Sequence, residues 1–96
     1  MKENQLLYLS KGDVSSVGLT MSEIIDALIS AFREKGEGQV EMPPKPAIHP
    51  GGGDNFIHAM PAYIQGMASA GVKWVSGFPE NINRNLPYIT GLVILN

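Results

Sequence analysis

From Leu19 to Gly38 the chain reads as one amphipathic helix with its start and stop signals in place. Met21, Ile24, Ile25, Leu28 and Phe32 recur at helical spacing and form a single apolar stripe. Thr20 and Glu23 fit a capping box, in which each side chain accepts the other residue's backbone amide, and Leu19 with Ile24 fits the accompanying hydrophobic staple. Arg33 and Lys35 complement the negative end of the helix dipole, and Gly36 or Gly38 ends the helix. Upstream, the apolar run Leu6 to Leu9 predicts a short strand. Ser10 and Asp13 then open, and Gly18 closes, a helix of about two turns.

Beyond Gly38 the hydrophobic period shortens from that of a helix to that of strands. Residues 39–42 run into Pro43 and Pro44, which donate nothing to a ladder, so this stretch predicts an edge strand or the approach to one. Residues 45–49 and 55–60 flank the turn cluster Pro50-Gly51-Gly52-Gly53-Asp54 and predict a loose hairpin. Residues 61–69 read as a connection, 70–78 as a strand, 79–87 as a polar loop and 88–95 as a final strand. The sum is an α+β fold, with N-terminal helices packed on a mainly antiparallel sheet. The last strand reaches Asn96 without a polar taper, leaving an apolar edge of the kind natural sheets avoid. We therefore expect a piece of a longer protein, with pairing to a partner subunit as the alternative.

Composition narrows this picture. Ninety-six residues make one small domain at most, and 44% apolar with 17% charged residues describes globular material. A net charge of -2 with scattered Lys and Arg offers no surface for nucleic acid. The absence of cysteine excludes disulfides, thiolate metal sites and a cysteine nucleophile. No run approaches a membrane span or a signal peptide, so we expect a cytoplasmic protein with neither membrane nor nucleic-acid partners. His49 and His58 lack a companion acid, and no metal site is expected. The glycine-rich segment 49–55 belongs to a turn and carries no dinucleotide fingerprint, which requires G-x-G-x-x-G between a strand and a helix. Lys73 stands out as a lone cation among Val72, Trp74 and Val75; strand alternation alone allows it to be a solvated lysine on an open face.

Six stretches, taken in order, carry a resemblance. They are LLYLSKGDV, LTMSEIIDALISAF, EMPPK, HAMPAY, AGVKWVSGFPENINRNLP and TGLVILN. Together they resemble the start of the ornithine cyclodeaminase/mu-crystallin family. The resemblance covers essentially the whole chain. It implies the first segment of a split substrate-binding and dimerisation domain, residues 1–96, with a Rossmann domain for NAD or NADP lying outside this chain. It also implies a homodimer acting on a small amino or cyclic imino acid by hydride transfer at the α-carbon. Dehydrogenation or imine reduction is favoured; true ornithine cyclodeamination to proline and ammonia, and a non-catalytic ligand-binding or dimerisation module, are the alternatives.

The same resemblance assigns roles. Lys73, in the G-x-K strand motif, is the expected catalytic residue, touching the substrate carboxylate and aiding proton transfer. Lys45 follows the proline pair where the family has arginine, and keeps the charge while losing the planar fork. Met60, at the head of MPAY, is expected to line the substrate pocket. His58 stands where ornithine-cleaving members carry an acid, and a histidine serves a cationic amine poorly. Tyr88 replaces the small hydroxyl residue that follows Leu-Pro in the family, and is expected to change the volume of the pocket or the contact with the nicotinamide.

Overall fold

The computed structural model describes residues 3–96. The chain divides into two compact units, Met1–Ser30 and Ala31–Asn96. In the first unit, α1 (Lys11–Ser16) is opened by Ser10 and Asp13 as the sequence predicts. The backbone N–H of Asp13 donates to Ser10 Oγ at 3.1 Å, and that of Ser10 donates to Asp13 Oδ2 at 2.8 Å. The second of these bonds is the main reason the Asp13 carboxyl titrates below its ordinary 3.8, with the Ser10 hydroxyl adding to it. The second helix, α2 (Met21–Gly36), begins on the Thr20–Glu23 box. Thr20 N–H reaches Glu23 Oε2 at 2.8 Å and Glu23 N–H reaches Thr20 Oγ1 at 3.2 Å.

The predicted strand at Leu6–Leu9 does not form. A strand exists by pairing, and these residues have no ladder partner among the described residues; their side chains are exposed.

The second unit takes in the end of α2, which closes on Gly38. The Gln39 N–H bonds the Glu34 carbonyl and the Gly38 N–H bonds the Lys35 carbonyl, the paired bonds of a Schellman cap. Gly38 sits at φ +75°, a left-handed conformation that glycine adopts without a Cβ penalty.

The sheet follows, antiparallel at every pairing. Its strands are β1 (Val40–Glu41), β2 (Ala47–Ile48), β3 (Phe56–Ile64), β4 (Ser69–Gly77) and β5 (Ile89–Leu95), with β1 and β2 both on the outer edge of β3 and β4 between β3 and β5. Pro43 and Pro44 lie in the interruption between β1 and β2, as their missing donors require.

The strand predicted to finish at Met60 runs on to Ile64, straight through Pro61. The reason lies in the alternation of backbone groups. Ala59 N–H donates outward to the Pro46 carbonyl and Gln65 N–H outward to the Gln39 carbonyl. Odd-numbered residues of β3 therefore aim their nitrogens away from β4. Pro61 is one of them and falls opposite the β1–β2 interruption, so it costs the β3–β4 ladder nothing.

The connection between β3 and β4 shrinks accordingly to a 3-10 turn, Gln65–Met67, followed by Ala68 at φ +46°. Glu34 Oε2 accepts the Gly66 N–H of that turn at 3.3 Å. Between β4 and β5 the expected polar loop is a 3-10 turn, Pro79–Arg84, ended by Asn85 at φ +56°.

No apolar side chain among the described residues is fully buried, and Gly77 is the one buried residue. The apolar stripe of α2 forms as predicted but stays exposed. No helix among the described residues is long and apolar enough to cross a membrane.

Two outcomes follow from the caps. Replacing the N-cap in Thr20→Ala should lower stability by about 1 kcal/mol, read as a fall in Tm, and Thr20→Gly should cost less. The α1 cap contributes stability above the ordinary carboxylate pKa and loses it as pH falls through the lowered Asp13 value. An NMR titration should place the Asp13 midpoint below 3.8; an ordinary midpoint would contradict the cap.

Candidate functional site

Strand alternation and the register of the sheet decide which side chains share a face. Met60 on β3 pairs with Lys73 on β4, and Lys73 pairs with Val93 on β5. The three side chains thus form one row across the sheet. Phe56, His58 and Ala62 of β3, and Gly71, Val75 and Gly77 of β4, lie on the same face. No Asp or Glu occupies a paired position there.

A groove of about 460 Å³ opens where this row meets the β1–β2 interruption. Lys45, Met60 and Lys73 line it together with Pro43, Pro61 and Ala62. Residues 28 positions apart in sequence, Lys45 and Lys73, are united because Pro43 and Pro44 carry the edge segment past β3 without pairing to it. Two ammonium groups bordering one largely apolar concavity suit a single carboxylate, to which each can donate a charge-assisted hydrogen bond. Lys45 supplies a point charge, without the planar fork of an arginine.

The other candidates are placed differently. His58 is two residues from Met60 on the same face, opposite Val75, with its ring centroid 4.6 Å from that of Phe56 and tilted by 33°. It stands along the strand from the groove and does not line it. Phe56 in turn lies against Gly77, where a Cβ would collide with its ring. Tyr88 precedes β5, and its carbonyl accepts the Phe78 N–H at 3.0 Å. It lies five residues from Val93, which is about 17 Å along a strand. Within this chain Tyr88 is not brought to the groove. Thr90 is on the opposite face from Lys73, its hydroxyl 3.1 Å from that of Ser76. His49 lies at the β2–β3 turn, with its carbonyl accepting the Gly52 N–H.

No group of three metal-ligating side chains is found among the described residues. The glycine-rich segment is the β2–β3 turn, and no helix follows it. That segment therefore lacks the strand–glycine loop–helix order by which a dinucleotide pyrophosphate is cradled.

Sequence reasoning overlooked Val93. The signal was present in the two-residue alternation of the final strand, but only the register of β5 against β4 reveals that Val93 stands beside Lys73.

Comparison with known proteins places the chain among relatives of established family and fold. The chain is 39% identical over 89 residues to the nodulation efficiency protein NfeD of Rhizobium meliloti, covering 93% of this chain and 28% of that protein. It is 38% identical over 92 residues to the alanine dehydrogenase of Archaeoglobus fulgidus, covering 96% of this chain and 27% of the relative. Among solved structures, Δ1-pyrroline-2-carboxylate reductase of Thermococcus litoralis, in complex with NADH and L-proline, superposes with a TM-score of 0.85 at 32% identity. That match covers 95% of this chain and 28% of the reductase. An archaeal alanine dehydrogenase dimer with bound NAD gives 0.78 at 36% identity, covering 90% and 25% of the two chains. The chain thus spans little more than a quarter of the length of these relatives. The family model for ornithine cyclodeaminase/mu-crystallin proteins matches residues 7–96, and the chain belongs to that family.

Proposed function

We propose that this chain is the amino-acid-binding segment of a longer oxidoreductase that uses NAD or NADP, in the manner of its dehydrogenase and reductase relatives. The observation that carries the proposal is the convergence of Lys45, Lys73 and Met60 on one groove. In this reading residues 1–96 are the first part of a split substrate-binding and dimerisation domain, and the dinucleotide is held by residues outside it. The dimer found for the alanine dehydrogenase relative and the open apolar sheet both support a homodimer. The cysteine-free composition fits a reducing cytoplasm.

Each side chain then has a task. Lys45 and Lys73 hold the substrate carboxylate by charge and fix the direction of the α-carbon. Met60 packs against the apolar part of the substrate and helps exclude water. Lys73 Nζ holds a proton beside the substrate nitrogen, where it assists transfer as the carbon–nitrogen bond changes order. The nicotinamide cofactor, when bound, supplies or accepts the hydride.

Dehydrogenation or imine reduction is favoured over ornithine cyclodeamination. The face that carries Lys73 presents no carboxylate at its paired positions, and His58 occupies the stretch of β3 next to Met60. A cationic side chain there lacks a counter-charge, whereas a short neutral side chain or ring needs none.

The test is a turnover panel on the full-length protein with NADH and NADPH, offering pyruvate with ammonia, Δ1-pyrroline-2-carboxylate, and ornithine with NAD. Reduction of the first or second is expected; release of proline from ornithine at a higher rate would overturn the preference. Lys73→Ala should lower kcat/KM by at least about 100-fold with the fold intact by circular dichroism, and unchanged turnover would end the reading. His58→Glu should raise kcat/KM for ornithine relative to alanine by at least about tenfold; no change would remove His58 from substrate selection.

A further inference from the structure

Lys73 has a different relation to each of its two neighbours in the row. On β5, Asn96 N–H donates to the Ala70 carbonyl and Phe78 N–H donates to the Tyr88 carbonyl. These two bonds fix the phase of the β4–β5 ladder. Even-numbered residues of β4 exchange hydrogen bonds with β5, and odd-numbered residues do not. Lys73 and Val93 are therefore a non-hydrogen-bonded pair, the type in which the two Cα atoms approach to about 4.5 Å and the side chains stand closest.

The β3–β4 ladder has the opposite phase at this position. Odd-numbered residues of β3 direct their N–H groups outward, toward Pro46 and Gln39, so even-numbered Met60 bonds to β4. Met60 and Lys73 are then a hydrogen-bonded pair, with Cα atoms about 5.5 Å apart. By pair type, the side chain of Val93 stands nearer to that of Lys73 than the side chain of Met60 does.

A second feature gives this difference a consequence. Two residues before Lys73 on the same face is Gly71, which has no side chain, and a hollow of about 220 Å³ opens there. Lys73 and Val93 both line it, with Met60, Ala62, Gly71 and Leu95. The lysine thus borders two concavities, this apolar hollow and the groove that holds Lys45. Its flexible four-carbon stem can swing toward either. A β-branched side chain is stiff at χ1 and fills a fixed volume beside the stem.

We propose that Val93 is a positioning residue: it stands beside Lys73 on β5, on the side away from β3 and the groove, and by crowding the stem there it keeps the ammonium directed toward Lys45 and the substrate carboxylate. This rests on the role given above to Lys73. The packing also explains how an exposed strand position, where most side chains would serve, can matter to binding. Removing the two methyl groups frees the stem to lean toward β5 and the hollow beside Gly71, where the ammonium meets apolar walls and no carboxylate. The carboxylate then loses one of its two cations for part of the time, which weakens ground-state binding before it affects the chemical step.

The test uses the full-length protein saturated with NADH, with L-proline and L-alanine as probes. Val93→Ala should raise the Kd of the probe, and the KM of the matching substrate, by up to about fivefold, with a smaller change in kcat. Val93→Ile keeps the β-branch and should stay within about twofold of the parent. In a Lys73→Ala background Val93→Ala should change the Kd no further, because there is no stem left to direct. Equal weakening by Val93→Ala in both backgrounds, or unchanged binding in the single variant while Lys73→Ala abolishes it, would overturn the positioning role and leave the Lys73 assignment standing. If Lys73→Ala itself leaves binding and turnover intact, the assignment and the inference fall together. A drop in Tm with Kd and KM unmoved would show Val93 to be merely structural, and would also overturn the proposal.

Discussion

A β-ladder repeats every two residues, so the register between β3, β4 and β5 decides everything that the sheet presents. With Met60 opposite Lys73 and Lys73 opposite Val93, the cation lies on the face that meets Lys45 in the groove. A slip of one residue in β4 would turn Lys73 to the other face and bring Trp74 into its place. The site is therefore a property of strand pairing first and of side-chain chemistry second.

Local features fix that register from both ends. At one end the β3–β4 connection is held short by the Gln65–Met67 turn, by Ala68 in the left-handed region, and by the Glu34 carboxylate on the Gly66 amide. The Schellman cap at Gly38 delivers the chain from α2 to β1, where Gln39 accepts the Gln65 N–H. At the other end Phe56 rests on Gly77, a contact that any larger residue at 77 would block. Between them Pro61 is tolerated because its missing donor points at the interruption made by Pro43 and Pro44. The same interruption opens the groove, so one constraint on backbone hydrogen bonding serves both the strand and the site.

The helices were legible in the sequence because their signals are local. Ser10 with Asp13 and Thr20 with Glu23 each act across three residues, and both boxes form. The strands were legible as apolar runs, but their limits were not. Pro61 reads as a stop until the outward direction of its nitrogen is known, and Leu6–Leu9 reads as a strand until it is seen to lack a partner. Pairing is non-local, and a single strand does not record it. For the same reason Lys73 was visible as an odd cation and Lys45 as a cation after two prolines, while their convergence on one groove, the placement of Tyr88 away from it and the proximity of Val93 required the register. Much of the sheet remains open to cover: Trp74, Leu92 and Ile94, on the face opposite Lys73, are 46%, 50% and 49% exposed. An isolated sheet of this kind gains little from the hydrophobic effect, in keeping with a segment that spans about a quarter of its relatives.

The central claim is that Lys45 and Lys73 hold one carboxylate between them. A crystal structure of the full-length protein with NADH and L-proline tests it directly. The account predicts the proline carboxylate in the groove, with the nitrogens of both lysines within about 3.2 Å of its oxygens. A carboxylate bound elsewhere, with Lys73 turned to solvent or lying over Gly71, would contradict it.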